Sequence, residues 1–97
     1  MPTANQPIDV QHDPDHQRFV ATVDGVEAEL DYERSSDVIR ITHTGVPPAI
    51  GGRGVAGQLM RTVLDFARVE RLKVVPSCSY AATYLKRHPQ YADLLAS

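Results

Sequence analysis

The chain has no tryptophan, a single cysteine and little positive charge, and these shortages narrow the field before any motif is read. One thiol cannot close an internal disulfide, and no stretch reaches the roughly 18 apolar residues of a membrane-spanning helix. Ten lysines and arginines against 12 acidic residues leave a formal charge of −2. With no basic run, electrostatic binding to nucleic acid is not expected as the main activity. No charged segment with a following apolar stretch opens the chain as a secretory leader would. The expectation is an intracellular, cytoplasmic protein with neither nucleic acid nor membrane as a partner. Its oligomeric state is not legible.

What is present fits one small domain of 97 residues, with room for one sheet and two or three helices. Residues 1–14, "MPTANQPIDVQHDP", are polar and punctuated by proline, and read as a flexible leader to a domain at 15–97. In "QRFVATVDGVEAELDYE", Phe19, Ala21 and Val23 alternate on one face, and Ala28, Leu30 and Tyr32 continue the pattern beyond Asp24-Gly25. That dipeptide favours a tight hairpin turn. After Ser35-Ser36, "DVIRITHT" predicts a third strand with Ile39, Ile41 and His43 on one face. Pro47-Pro48 ends it. Ala56, Leu59, Met60, Val63, Leu64 and Ala67 then recur at helical spacing, and "LKVVP" follows as a short buried strand. A strand, helix, strand order predicts that residues 37–44 and 72–76 lie parallel, joined by a right-handed crossover. "SYAATYLKRH" reads as a second helix capped by Ser77 or Ser79, and "PQYADLL" as a last helical turn. The fold class expected is α/β (α+β), in a compact fold: antiparallel strands leading into a parallel strand-helix-strand unit with a C-terminal helix.

The amphipathic helix starts in glycines and lacks a side-chain cap. Gly52, Gly54 and Gly57 match G-x-G-x-x-G in literal form, yet a dinucleotide fold would need an acid at the end of the next strand, which ends in Val75-Pro76-Ser77. A nucleoside-triphosphate loop would need Lys and Ser or Thr where Gln58 and Leu59 stand. Two readings are left: a tight strand-to-helix connection, or a cradle in which free backbone N–H groups and the helix dipole hold a phosphate.

His43 ends one parallel strand and Cys78 follows the other, so both are expected at the carboxyl edge where ligands of open α/β sheets bind. A base, a thiol and an anion cradle would converge there. Alone, each has a plainer reading, as a hydrogen-bonded core histidine and a small buried cysteine. "HDPDH", residues 12–16, carries metal-ligand types in a context that reads as a solvated tail, and no metal site is expected. Tyr80, Tyr84 and Tyr91 suit helix packing, with a phenol also able to act as an acid. Lys86 and Arg87 suit the negative end of their helix dipole.

These residues resemble the GNAT superfamily of N-acetyltransferases in its small single-domain subgroup. "HTGVPP", "GGRGVAGQLM", "LKVVPSCSY" and "YLKRHPQYADLL" follow that order and spacing over about residues 15–95. Gly54-Val55-Ala56 matches the second half of the superfamily signature, while Gly51 stands where Arg or Gln is usual. The resemblance implies acetyl-CoA as co-substrate, bound where the parallel strands splay. Its pyrophosphate would lie on Gly52, Arg53, Gly54, Val55, Ala56 and Gly57, and its pantetheine arm on the backbone near Thr44 and Val46. It further implies acetyl transfer to an amine, on a small molecule or a protein, with His43 as base and Cys78 or Tyr80 as acid, or Cys78 as nucleophile. The rival expectation is a non-catalytic module of the same fold that binds coenzyme A or a protein.

Overall fold

Phe19 and Ala21 on β2 (Arg18–Val23) and Ala28, Leu30 and Tyr32 on β3 (Val26–Ser35) point to one side of a hairpin and are buried. Asp24 and Gly25 turn between them at φ values of 51° and 75°, the left-handed pair that a two-residue hairpin loop requires. β4 (Val38–Gly45) returns antiparallel to β3, burying Ile39 and Ile41 on the same face. The computed structural model describes residues 8–96.

The helical stripe becomes α1 (Val55–Glu70), which buries Val55, Leu59, Met60, Val63, Leu64 and Ala67 against this sheet face. Removing each large aliphatic side chain from water contributes about 1.5–3 kcal/mol, so the stripe outweighs the poor helix start. The chain crosses to β5 (Lys73–Pro76), parallel to β4 from Val38↔Lys73 to Ile41↔Pro76. α2 (Ser79–Arg87) buries Ala81, Tyr84 and Leu85, and a 3-10 turn at Pro89–Leu94 completes the helical layer. Lys86 and Arg87 lie exposed in the last turn of α2, where they suit its dipole. Tyr84 packs flat on His88, with ring centres 3.8 Å apart, and Arg68 sits over Tyr91. Beyond the turn, Ala96 N–H donates to the Val74 carbonyl at 3.0 Å and partly covers the free edge of β5.

The N-terminal boundary differs from the expectation. Residues 9–13 of the supposed leader form β1 (Asp9–Asp13), an edge strand paired antiparallel with β2, so the described residues form a sheet of five strands in the order β1-β2-β3-β4-β5. Residues 1–7 lie outside the described residues. His12 anchors the strand: its ring stacks on Phe19 at 4.1 Å, meets the edge of Phe66, and shares a 2.6 Å hydrogen bond with the Tyr32 hydroxyl. The "HDPDH" segment is therefore not a solvated tail throughout. Of its residues, His16 keeps to a local pair with Asp13.

Candidate active site

Buried Ile50 pins a short 3-10 turn, Pro48–Ile50, from which the glycine loop leaves. Gly52 and Gly54 both take φ of 77°, and a methyl group built at either would meet nothing within 4 Å. These glycines are required by backbone conformation, and the space over them is open. Gly54 is the N-cap of α1 and supplies no side-chain cap. The N–H groups of Val55, Ala56 and Gly57 have no intrahelical carbonyl to meet, since the first such bond runs from Gln58 N–H to the Gly54 carbonyl at 3.0 Å. Arg53 turns aside. Its guanidinium donates to Asp24 at 2.6 Å and ties the loop to the β2–β3 turn.

Beside this helix start the two parallel strands part. Their ladder stops at Ile41↔Pro76, and the Ile41 carbonyl accepts from both Ser77 and Cys78 N–H groups at 2.9 and 3.1 Å as the chain swings into α2. β4 runs on to Gly45, and among the described residues no strand lies beside residues 42–45 on the β5 side. Across the gap Thr44 Oγ1 and Cys78 Sγ stand 3.7 Å apart. Val46, just past β4, packs partly buried against the core. Cys78 itself, rather than Ser77 or Ser79, caps α2: its Sγ accepts the Ala81 N–H at 3.4 Å. The Tyr80 hydroxyl reaches to within 4.0 Å of where a Gly57 methyl would lie, beside the first turn of α1. Burial pushes the Tyr80 phenol above its ordinary value of 10, so it stays protonated at neutral pH.

His43 lies elsewhere. Opposite Asp31, β4 carries one residue more than β3, because Ile41 faces Tyr32 whereas His43 faces Asp31. Thr42 is the extra residue of this bulge and its hydroxyl donates to the Asp31 carbonyl at 3.2 Å. The bulge reverses the alternation, so Thr44 takes the inner face opposite Leu30 and His43 takes the open face with Glu29 and Asp31. The expectation that His43 shares a face with Ile39 and Ile41 is corrected by that single inserted residue. So is the expected convergence with Cys78: the His43 partner is Glu29, with Nε2 to Oε2 at 3.5 Å, while the Cys78 partners are Thr44 and Ala81. Ligand-type atoms of Glu29, Asp31 and His43 lie within 4.8 Å of one another, and Arg18 already pairs with Asp31 at 3.0 Å.

The family described as GCN5-related N-acetyl-transferase matches residues 18–94. The chain belongs to that family. Among its relatives, protein NATD1 of Gallus gallus is 37% identical over 94 residues, covering 92% of this chain and 86% of that one. Protein NATD1 of Homo sapiens is likewise 37% identical, covering 92% and 83%. The NMR solution structure of a GCN5-like protein from Staphylococcus aureus matches with a TM-score of 0.74 at 30% identity, over 92% of this chain and 88% of that one.

The GCN5-related fold generally draws on acetyl-CoA, and the residues present suit that group. Open left-handed glycines precede free N–H groups at a positive helix end, as a diphosphate needs. The unpaired run of β4 offers backbone donors and acceptors to an amide-bearing arm. Arg61, one helical turn beyond Gly57, brings a guanidinium nitrogen to 3.9 Å from the position of a Gly57 methyl. The sequence reading passed over Arg61, although i, i+4 spacing from Gly57 was a legible signal. Glu29 and Gly45 were also missed, and only strand register brings them to His43.

Proposed function

We propose that the chain is an acetyl-CoA-dependent N-acetyltransferase acting on an amine of a small molecule or a protein. One observation carries this reading: the uncapped start of α1, behind left-handed Gly52 and Gly54, opens at the sheet edge where β4 and β5 part. Acetyl-CoA, as co-substrate, would supply the acetyl group and depart as its thiol. The N–H groups of Val55–Gly57 would hold its diphosphate, and the free edge from Thr44 to Val46 would align its amide arm. Cys78 and Thr44 line the gap the reacting group would enter. The protonated Tyr80 phenol supports its role as the acid for the departing sulfur. An amine that reaches the gap from the open face of β4 would shed its proton to His43, directly or through water. Direct transfer is favoured over a route through acetylated Cys78, because the partner that would activate the thiol faces Glu29 on the other side of the sheet. The lone, half-buried thiol suits a reducing compartment, the cytoplasm in this reading.

The test is incubation with labelled acetyl-CoA and a panel of amines: amino acids, diamines and polyamines, lysine peptides and peptides with free N-termini. One class should acquire label at a rate that His43→Ala lowers. Coenzyme A that raises the melting temperature while no amine is labelled would turn the reading to a non-catalytic coenzyme A-binding module. Coenzyme A without effect on melting would overturn the assignment of the glycine loop.

A further inference from the structure

Gly45 stands in a strand, where glycine weakens the ladder, and its backbone does not lie in the left-handed region that would demand it. Its neighbourhood explains the residue. A methyl group built there would fall 2.9 Å from His43 Nε2, 3.6 Å from His43 Cε1 and 3.7 Å from Glu29 Oε2. The imidazole thus occupies the space that any other residue would fill, and from that seat its Nε2 reaches the Glu29 carboxylate at 3.5 Å. Gly45 lies directly opposite Glu29 in the β3–β4 register, so seat and carboxylate are both set by the bulge at Thr42.

We infer that Gly45 and Glu29 are positioning residues that hold the His43 ring in one orientation on the open face, with Nε2 turned to the carboxylate and Nδ1 turned away from it. This rests on the reading that His43 is the base. A carboxylate beside Nε2 favours the tautomer that carries its proton there, which leaves the lone pair of Nδ1 to accept the proton from the amine as the new C–N bond forms. Glu29 then faces the resulting imidazolium. Arg18 neutralises neighbouring Asp31, which leaves Glu29 as the carboxylate in contact with the ring.

Two variants test this, each also made in a His43→Ala background. Gly45→Ala forces the ring from its seat, and Glu29→Gln keeps the shape while removing the charge. Each should lower kcat about 10- to 100-fold, the scale of a displaced catalytic group; Glu29→Gln, which leaves the free edge of β4 untouched, should do so with the KM for acetyl-CoA unchanged. In the His43→Ala background neither should lower it further, since residues acting through a third group lose their effect with it. Equal losses in both backgrounds, or wild-type kcat in both single variants, would overturn the inference. Wild-type kcat in His43→Ala would instead overturn the reading of the base. A measurement independent of activity completes the test: an NMR contact between His43 Hε1 and the Gly45 α-protons is expected in the wild-type chain, and its absence overturns the proposed seat.

Discussion

Gly54→Val offers the most direct access to the glycine loop. At φ 77° a β-branched residue is an outlier, and because nothing lies within 4 Å of its Cβ the cost is backbone strain rather than collision. That strain is about 1–2 kcal/mol, or a melting temperature lower by about 4–8 °C per kcal/mol in a domain of this size. Ala67→Val is the matched control, since Ala67 is fully buried on the α1 stripe and overpacking there costs about 1–3 kcal/mol. Both variants should fold with similar losses. Only the first should lose coenzyme A, because relief of the strain turns the first N–H groups of α1 out of alignment. Losing one charge-assisted hydrogen bond, about 1.5–3 kcal/mol, weakens Kd at least about 10-fold. At a coenzyme A concentration about 100 times the wild-type Kd, the ligand should stabilise wild type by about 2.7 kcal/mol and Gly54→Val by about 1.4 kcal/mol or less. Titration calorimetry gives the Kd values and thermal melts with and without coenzyme A give the increments. Equal Kd values in the two variants would refute the assignment and return the glycines to a purely structural role. So would stabilisation by NAD in place of coenzyme A.

Burial holds the His12 imidazole below its ordinary value of 6.5, with Asp13 and Glu70 acting against it and Arg34 with it. Folding therefore favours the neutral ring, and its contribution is whole above pH 6.5 and fades as pH falls through the lower folded value. His12→Ala should cost about 1–2 kcal/mol at pH 8, from its stacking and its hydrogen bond; a difference from wild type that stays constant down to about pH 5 in chemical denaturation refutes this account. At Cys78 the sulfur caps α2, so Cys78→Ala should lose stability, about 0.5–2 kcal/mol, while Cys78→Ser keeps it. A serine variant as unstable as the alanine one would deny the cap. Tyr80→Phe should lower kcat and leave the KM for acetyl-CoA near its wild-type value; unaltered turnover would remove Tyr80 from the chemistry.

Much of this architecture is written in local pattern. The α1 stripe, the left-handed Asp24-Gly25 turn and the short Val74-centred strand each follow from constraints within a few residues of chain. The glycine loop was equally legible, because a positive φ and a missing cap are properties of the residues themselves. β1 was not, since an edge strand of Asp, Val, Gln, His and Asp carries almost no apolar alternation and is held by pairing with β2 and by the stacking of His12 on Phe19 and Phe66. Nor was Cys78 as a cap, which requires the turn into α2 made by two N–H groups sharing the Ile41 carbonyl. The site depended most on distant chain. Along "DVIRITHT" period-two alternation sends His43 inward, and nothing within the segment marks Thr42 as an inserted residue. Only pairing with β3 does so, because a bulge is a mismatch between two registers and has no meaning in one strand alone. Sequence thus determined β2 to β5, the two helices and the uncapped glycine start of α1, whose causes are local sterics and periodicity. Tertiary structure decided which face His43 occupies and which carboxylate it meets, because those follow from how separate strands align.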